Sequence, residues 1–374
     1  MKHILTTLLG TSLEWEFVRA IVVIFAVAAI WRLIPLRMNG QKRRGKRPNY
    51  LAVSAGVLSV AVVLAGAGIY VDRDTSLIRH TSKPQVAIGG TEAKSSSGAV
   101  SGTTADPGKP DIGVFEPGST ASYTAVRNFA SETGQPARIS LYYSGWNDPF
   151  QINMANWAYQ NDGMPFVQML PYGRSLASLV NGQYDAYLRS FATAVRGYKH
   201  PVLIGFAPEM NGNWYDWGNG HTAPSVYVAA WQHLVNVFRA EHANNVIWVW
   251  TVNSINASGA PLKQWWPGAS YVTWIGVDGY YYKPSDTFNS VFGTTIQEIS
   301  TFTNKRVLIS ETAIGPNSAN VSQLNGLFQG VKNDHLLGFV WFDQAQNDPP
   351  YHQDWRLADN RALEATFRTD AASI

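Results

Sequence analysis

The chain has no cysteine among its 374 residues. Disulfides, thiol nucleophiles and thiolate metal sites are therefore excluded together. Charge is also scarce. Asp, Glu, Lys and Arg make up 15% of the residues and the formal balance is only +3, so nothing in the whole-chain charge points to nucleic acid. Gly-rich phosphate loops of the GxGxxG or GxxxxGKS kind are missing, and so is an HExxH pair. His200, His221, His233, His242, His335 and His352 are scattered along the chain. No metal centre and no cofactor is expected from such a pattern.

One absence is local. No Asp or Glu occurs from Phe17 to Val71, a window that carries Arg37, Lys42, Arg43, Arg44, Lys46 and Arg47. Within it, residues 50–71 (YLAVSAGVLSVAVVLAGAGIYV) are uncharged and free of proline. At about 1.5 Å per residue such a run is long enough to cross a hydrocarbon layer about 30 Å thick. Residues 17–36 are apolar too, with Arg19 and Arg32 near the ends, where long basic side chains snorkel to the interface. One or two transmembrane helices are expected, and an interfacial or signal-like segment is the competing reading for residues 17–36. The basic cluster should stay cytoplasmic, which places everything from Asp72 onward outside. Residues 72–111 are rich in Ser, Thr, Gly, Ala and Lys and read as a flexible extracytoplasmic linker with little to bury.

From residue 112 to residue 374 the pattern changes to short apolar runs separated by helix-like segments. The runs are 112–116, 138–143, 166–170, 202–206, 246–251, 273–277, 307–310 and 338–342. A spacing of about thirty residues fits one strand–helix unit each. Between the runs, residues 119–133, 183–198 and 225–242 carry apolar residues at helical spacing. Eight such units over roughly 250 residues predict an α/β fold of the (β/α)₈ TIM-barrel type. The runner-up is an open doubly wound sheet.

Two glutamates stand where apolar, β-branched runs empty into loops: Glu209 after the fourth run and Glu311 after the seventh. In a barrel both reach the C-terminal mouth, where barrel enzymes keep their sites. Two carboxylates at one rim are what cleavage of a glycosidic bond requires, one as acid/base and one as nucleophile. Trp214 and Trp217 follow the first glutamate closely, at positions where a sugar face stacks.

The residues from about 112 to the C-terminus resemble glycoside hydrolase family 26, best known for β-mannanases, in the clan of retaining (β/α)₈ hydrolases. Glu209-Met-Asn-Gly-Asn-Trp214-Tyr-Asp-Trp217-Gly is similar to the family's acid/base block, and Ser310-Glu311-Thr312 to its nucleophile strand. Gly276-Val-Asp278-Gly-Tyr280 resembles the block after the sixth strand, whose Tyr touches the nucleophile. Gly338-Phe-Val-Trp341-Phe-Asp343, with Asp354-Trp355-Arg356 downstream, resembles the eighth-strand region. The resemblance implies double displacement: Glu311 attacks the anomeric carbon, Glu209 protonates the leaving oxygen and later activates water, with the carboxylates about 5–5.5 Å apart. It implies substrate contacts for Asn211, Trp214, Trp217, Asp278, Tyr280 and Trp341. Several have a structural alternative: packing for the tryptophans, support of Tyr280 for Asp278, turn formation with Gly212 for Asn211. The family's usual His before the acid/base is Pro208 here, and its upstream Arg is Gly205. Ordinary β-mannan is therefore expected to be a poor substrate.

Three functions follow from this reading. The first is a membrane-anchored endo-β-glycosidase facing the exterior and acting on a polysaccharide. The second is a non-catalytic carbohydrate-binding or scaffold protein on the same barrel. The third, compatible with the first, is a partner of surface-polysaccharide synthesis or export machinery, motivated by the tether.

Overall fold

A computed structural model describes residues 111–255, 258–315, 321–346, 352–358 and 360–373. The expected apolar segments 17–36 and 50–71 and the linker up to residue 110 lie outside the described residues. Among the described residues, no helix is long and apolar enough to cross a membrane.

Eight parallel strands close into a barrel in simple sequence order. They are β1 (Asp111–Phe115), β2 (Ile139–Gly145), β3 (Met164–Leu170), β4 (Val202–Phe206), β5 (Val246–Asn253), β6 (Trp274–Asp278), β7 (Val307–Thr312) and β8 (Gly338–Phe342). Each coincides with one of the eight apolar runs. Such strands are buried on both faces, by the barrel interior and by the surrounding helices, which is why they read as continuous hydrophobic runs rather than alternating ones.

Two of the three expected helices start later than the sequence pattern suggests, at residues 124 and 185, while the third spans 224–240. The helices include α1 (Thr124–Thr133), α2 (Ile152–Gln160), α3 (Leu176–Val180), α4 (Asp185–Tyr198), α5 (Pro224–Ala240), α6 (Thr294–Ser300), α7 (Val321–Asn333) and α8 (Arg361–Ala371). Residues 119–123 form turns instead of a first helical turn, and α1 ends where expected because Gly134 takes a left-handed φ of 70°. The buried side of α4 is Leu188, Phe191, Ala192, Val195 and Tyr198. That of α5 includes Tyr227, Trp231, Leu234, Val235 and Phe238. Both follow the 3.6-residue period. A short two-stranded ribbon, β9 (Ala345–Gln346) with β10 (Gln353–Asp354), folds the chain back over the mouth after β8.

Two register features bear on the site. Val277 pairs with Ile309 but Asp278 pairs with Glu311, so β7 carries one extra residue, Ser310. Strict alternation would send Ser310 and Glu311 to opposite faces; the bulge lets both serve the mouth. Inside the barrel, Gln168 of β3 lies beside Gly205 of β4. A Cβ at 205 would stand 1.9 Å from Gln168 Oε1. The position is filled by the glutamine, whose Nε2 donates to Thr251 Oγ1 at 3.0 Å, and no arginine fits there.

The barrel closes through β1 and β8, and a carboxyl pair marks the seam. Glu116, just past β1, lies near enough to Asp343, just past β8, for the charge of one to act on the other. Asp343 Oδ1 accepts from Leu357 N at 2.6 Å. Burial, then the Asp343 charge, push the Glu116 carboxyl from 4.5 up to about 9. A carboxyl raised on folding binds its proton more tightly in the native state, so it lowers stability progressively as pH rises from 4.5 towards 9. Glu116→Gln keeps a neutral hydrogen-bonding group and removes that dependence. The melting temperature of the variant is expected to rise relative to the parent as pH increases from 5 to 9; a constant gap across that range would show that the Glu116 carboxyl is not raised on folding.

Candidate active site

Glu209 is not on β4 itself. It lies three residues beyond Phe206, in a loop whose backbone is unusual. Ala207 has φ 46° and Glu209 φ 57°, left-handed values that cost a non-glycine residue of order 1–3 kcal/mol. Three hydrogen bonds hold the loop against that strain: Ala207 N to Met169 O at 3.0 Å, Glu209 N to Thr251 O at 3.0 Å, and Trp217 Nε1 to Pro208 O at 2.6 Å. The result turns the Glu209 side chain into the mouth. There Oε2 accepts from Trp214 Nε1 at 2.8 Å and Oε1 from Asn253 Nδ2 at 2.5 Å.

Glu311 reaches the same cavity from within β7. Its Oε2 accepts from Tyr280 Oη at 2.7 Å, and its Oε1 accepts from Tyr143 Oη, at the top of β2. Both glutamates are 9% exposed. Burial first, and the Glu209 charge second, raise Glu311 from 4.5 to about 7, with the two phenols pulling the other way. Burial likewise raises Glu209, opposed by Asn253 and Trp214. Two buried carboxyls that repel one another hold one proton between them near neutrality. The two phenols on Glu311 and the two N–H groups on Glu209 each favour the charged form of the carboxyl they donate to. Both phenols are themselves raised well above 10, by burial and then by the Glu311 charge, and so remain donors.

Asp278 forms part of the floor. Its Oδ1 accepts from Ser310 Oγ at 2.5 Å. It does not hold Tyr280, whose hydroxyl goes to Glu311. Burial, followed by the charges of Glu311 and Glu209, raises its carboxyl well above the usual range.

Of the residues expected to touch substrate, the cavity brings together Glu209, Glu311, Trp214, Asp278 and Tyr280. Trp214 is 43% exposed and free to offer a ring face. Three expectations are corrected. Trp341 is fully buried and points outward from β8: its Nε1 donates to Trp355 O at 3.1 Å and its ring meets Phe367 of α8. It is a packing residue because strand alternation puts it on the helix side. Trp217, 1% exposed, stacks on Tyr215 with ring centroids 4.5 Å apart and braces the Pro208 carbonyl; it does not line the cavity. Asn211 is fully buried beneath the rim. It clasps the backbone of Asn253 through Asn253 N to Oδ1 at 2.9 Å and Nδ2 to Asn253 O at 2.8 Å, so it acts on Glu209 through Asn253.

The cavity, about 430 Å³, includes residues to which the sequence assigned no substrate contact: Phe115, Tyr143, Tyr172, Tyr215, Asn253, Tyr282, Phe342 and Trp355. Tyr143 and Asn253 carry the signal that marked the glutamates, a polar group at the end of an apolar run. Trp355 arrives by a different route. The β9–β10 ribbon and a bond from Trp355 Nε1 to Gln346 Oε1 at 2.9 Å set its ring against Tyr280, centroids 4.9 Å apart. Among the described residues lining the cavity there is no Lys, Arg or His. Its walls are aromatic with a few carboxyls and amides, which suits stacking and hydroxyl recognition of an uncharged sugar. Among the described residues no group of three or more His, Asp or Glu is placed to hold a metal ion.

The family model for glycosyl hydrolase family 26 matches residues 125–371. Endoglucanase H of Acetivibrio thermocellus is 26% identical over 270 residues, which cover 67% of this chain and 29% of that protein. Mannan endo-1,4-β-mannosidase of Bacillus subtilis is 25% identical over 242 residues, 61% of this chain and 62% of that one. The chain thus spans less than two thirds of either relative. Among solved structures, a modular endo-β-1,4-mannanase from Cellulomonas fimi superposes with a TM-score of 0.57 at 17% identity, over 71% of each chain; this is a likeness of fold.

Proposed function

The chain belongs to glycosyl hydrolase family 26, and from that premise we propose that it is a membrane-anchored, retaining endo-β-glycosidase acting on an uncharged polysaccharide. The observation that carries the proposal is the pair Glu209 and Glu311 in one aromatic cavity, each fixed by two hydrogen-bond donors. Glu311, charged and steadied by Tyr143 and Tyr280, attacks the anomeric carbon. Glu209 gives its proton to the departing oxygen. The bond from Glu311 to the sugar forms as the glycosidic bond breaks. Glu209, now a carboxylate, takes a proton from water, which releases the sugar from Glu311 with its original anomeric configuration. Trp214 offers its ring to a neighbouring sugar unit while its N–H keeps Glu209 aimed.

The test is hydrolysis of defined β-mannan, mixed-linkage β-glucan and β-xylan by the purified protein, with the product anomer read by NMR before mutarotation. Retention is the expected outcome, and inversion would refute the mechanism. Mannan is expected to be the poorer substrate. Pro208 lines the cavity without a polar side chain and its carbonyl is engaged by Trp217, so the hydrogen bond that the family's His implies is not supplied there. A missing bond of this kind costs about 0.5–1.5 kcal/mol. Pro208→His alone is not expected to restore strong mannanase activity. Mannan cleaved faster than every other glycan tested would overturn the specificity.

Anchoring rests on residues 17–36 and 50–71 and on the basic cluster between them. Protease added to intact cells is expected to release the barrel by cutting within residues 73–111. Protection until the membrane is breached would mean the opposite orientation. An outward-facing hydrolase on a tether suits the processing of a polysaccharide made by the same cell, in company with its synthesis or export machinery.

A further inference from the structure

A second hollow of about 450 Å³ lies beside the catalytic cavity, between the loop after β3 and the loop after β4. Its lining includes Arg174, Ser175, Ala177, Asp216, His221 and Thr222. The two hollows share a ridge. Tyr172 and Tyr215 line the catalytic side, and their chain neighbours Gly173 and Asp216 line the other. Gly173 N donates to Asp216 Oδ2 at 3.3 Å, tying the loops together along the ridge. Tyr172 stands on it 52% exposed, its ring braced edge-on by Tyr215 at 5.8 Å and at a tilt by Trp217 at 5.1 Å. Trp214 extends the aromatic series back to Glu209, its ring 6.4 Å from that of Tyr215.

The chemistry of the two hollows differs. The first is aromatic and has no basic group among its described lining residues. The second offers the Arg174 guanidinium, which makes no side-chain hydrogen bond or ion pair among the described residues, along with the Ser175 and Thr222 hydroxyls and the Asp216 carboxylate. A planar donor fork and a carboxylate lining one hollow are groups that recognise vicinal hydroxyls of a sugar. A fixed aromatic face at the entrance supports a sugar ring crossing from one hollow to the other.

We propose that this hollow is a remote sugar-binding subsite, reached over Tyr172, that takes uncharged units of the glycan chain beyond those held in the catalytic cavity. The proposal rests on the glycosidase reading for its ligand class. It makes the protein an enzyme that selects for chain length: binding at the remote hollow is spent on holding a long chain across the catalytic pair.

Two variants on different features test it, both in the full-length protein. Arg174→Ala removes the free donor fork, and Ala177→Trp fills the hollow from an exposed position on α3. Rates are compared on β-1,4-manno- and β-1,4-gluco-oligosaccharides of two to six units. Both variants are expected to lower kcat/KM on the hexasaccharide by about 5–50-fold relative to their effect on the shortest substrate cleaved, a ratio that a general loss of fold would not change. Retardation in native gels containing soluble glucomannan or barley mixed-linkage glucan gives a reading that needs no turnover: the parent is expected to be slowed and both variants to run faster than it. Unchanged hexasaccharide-to-short-substrate ratios, or equal retardation of parent and variants, would overturn the subsite. Retardation lost in the variants while the parent cleaves none of the glycans would leave the subsite standing and remove the glycosidase reading instead.

Discussion

Glu209→Gln is expected to reduce turnover of an unactivated β-glycan by about 10²–10⁴-fold, the usual contribution of a placed general acid. Glu311→Gln is expected to reduce it at least as far, since no covalent intermediate forms. Neither change should cost much stability. Both side chains project into an open cavity, and an amide occupies the same volume without the repulsion between two buried carboxyls. The two variants separate the roles. On an aryl glycoside with a good leaving group, protonation is unnecessary for the first step, so Glu209→Gln should recover much of its glycosylation rate and accumulate the glycosyl-enzyme. Glu311→Gln should gain nothing. If the pattern were reversed, the assignment of acid and nucleophile would be reversed with it. Near-normal turnover by either variant on an unactivated glycan would remove the pair from the mechanism altogether.

Removing the phenol donors is the second large effect. Tyr143 and Tyr280 each donate to one oxygen of Glu311, and both bonds favour its charged form. A hydrogen bond to a charged group is worth about 1.5–3 kcal/mol, so Tyr143→Phe and Tyr280→Phe should each lower kcat/KM by about 10–150-fold. The sign on the pH axis is fixed. Burial and Glu209 already hold Glu311 up at about 7, and deleting a donor raises it further. Because the nucleophile must be ionised, the acid limb of the kcat/KM profile should move to higher pH in each variant. The alkaline limb, set by loss of the proton on Glu209, should move much less. A uniform loss at every pH would mean that the phenols bind sugar and do not tune the nucleophile. The double variant should lose less than the sum of the two, since both donors act on one carboxylate.

The contrast between Glu209 and Trp341 shows what a linear reading reaches. Glu209, Glu311, Tyr143 and Asn253 all stand at the ends of apolar runs, and in a closed parallel barrel every such end opens on the same rim. Chain order therefore brings them together, whatever the details of packing. The tryptophans carry no such guarantee. A run buried on both faces gives no alternation from which to read direction, so the sequence leaves open whether Trp341 packs against α8 or faces the cavity. Trp217 and Asn211 belong to the same motif as Glu209, yet their work is to hold its loop: one braces Pro208, the other the backbone of Asn253.

The sequence by itself determined the eight strands, their order and the two carboxylates at the mouth, because these follow from hydrophobic runs and their spacing. Tertiary structure alone decided the rest. The extra residue at Ser310 turns Glu311 into the mouth, the left-handed backbone at Ala207 and Glu209 aims the partner carboxyl, and Gln168 takes the space that makes position 205 a glycine. The return ribbon after β8 brings Trp355 to the wall. All but the ribbon depend on contacts between segments distant in the chain, and such contacts leave no period in the sequence that contains them.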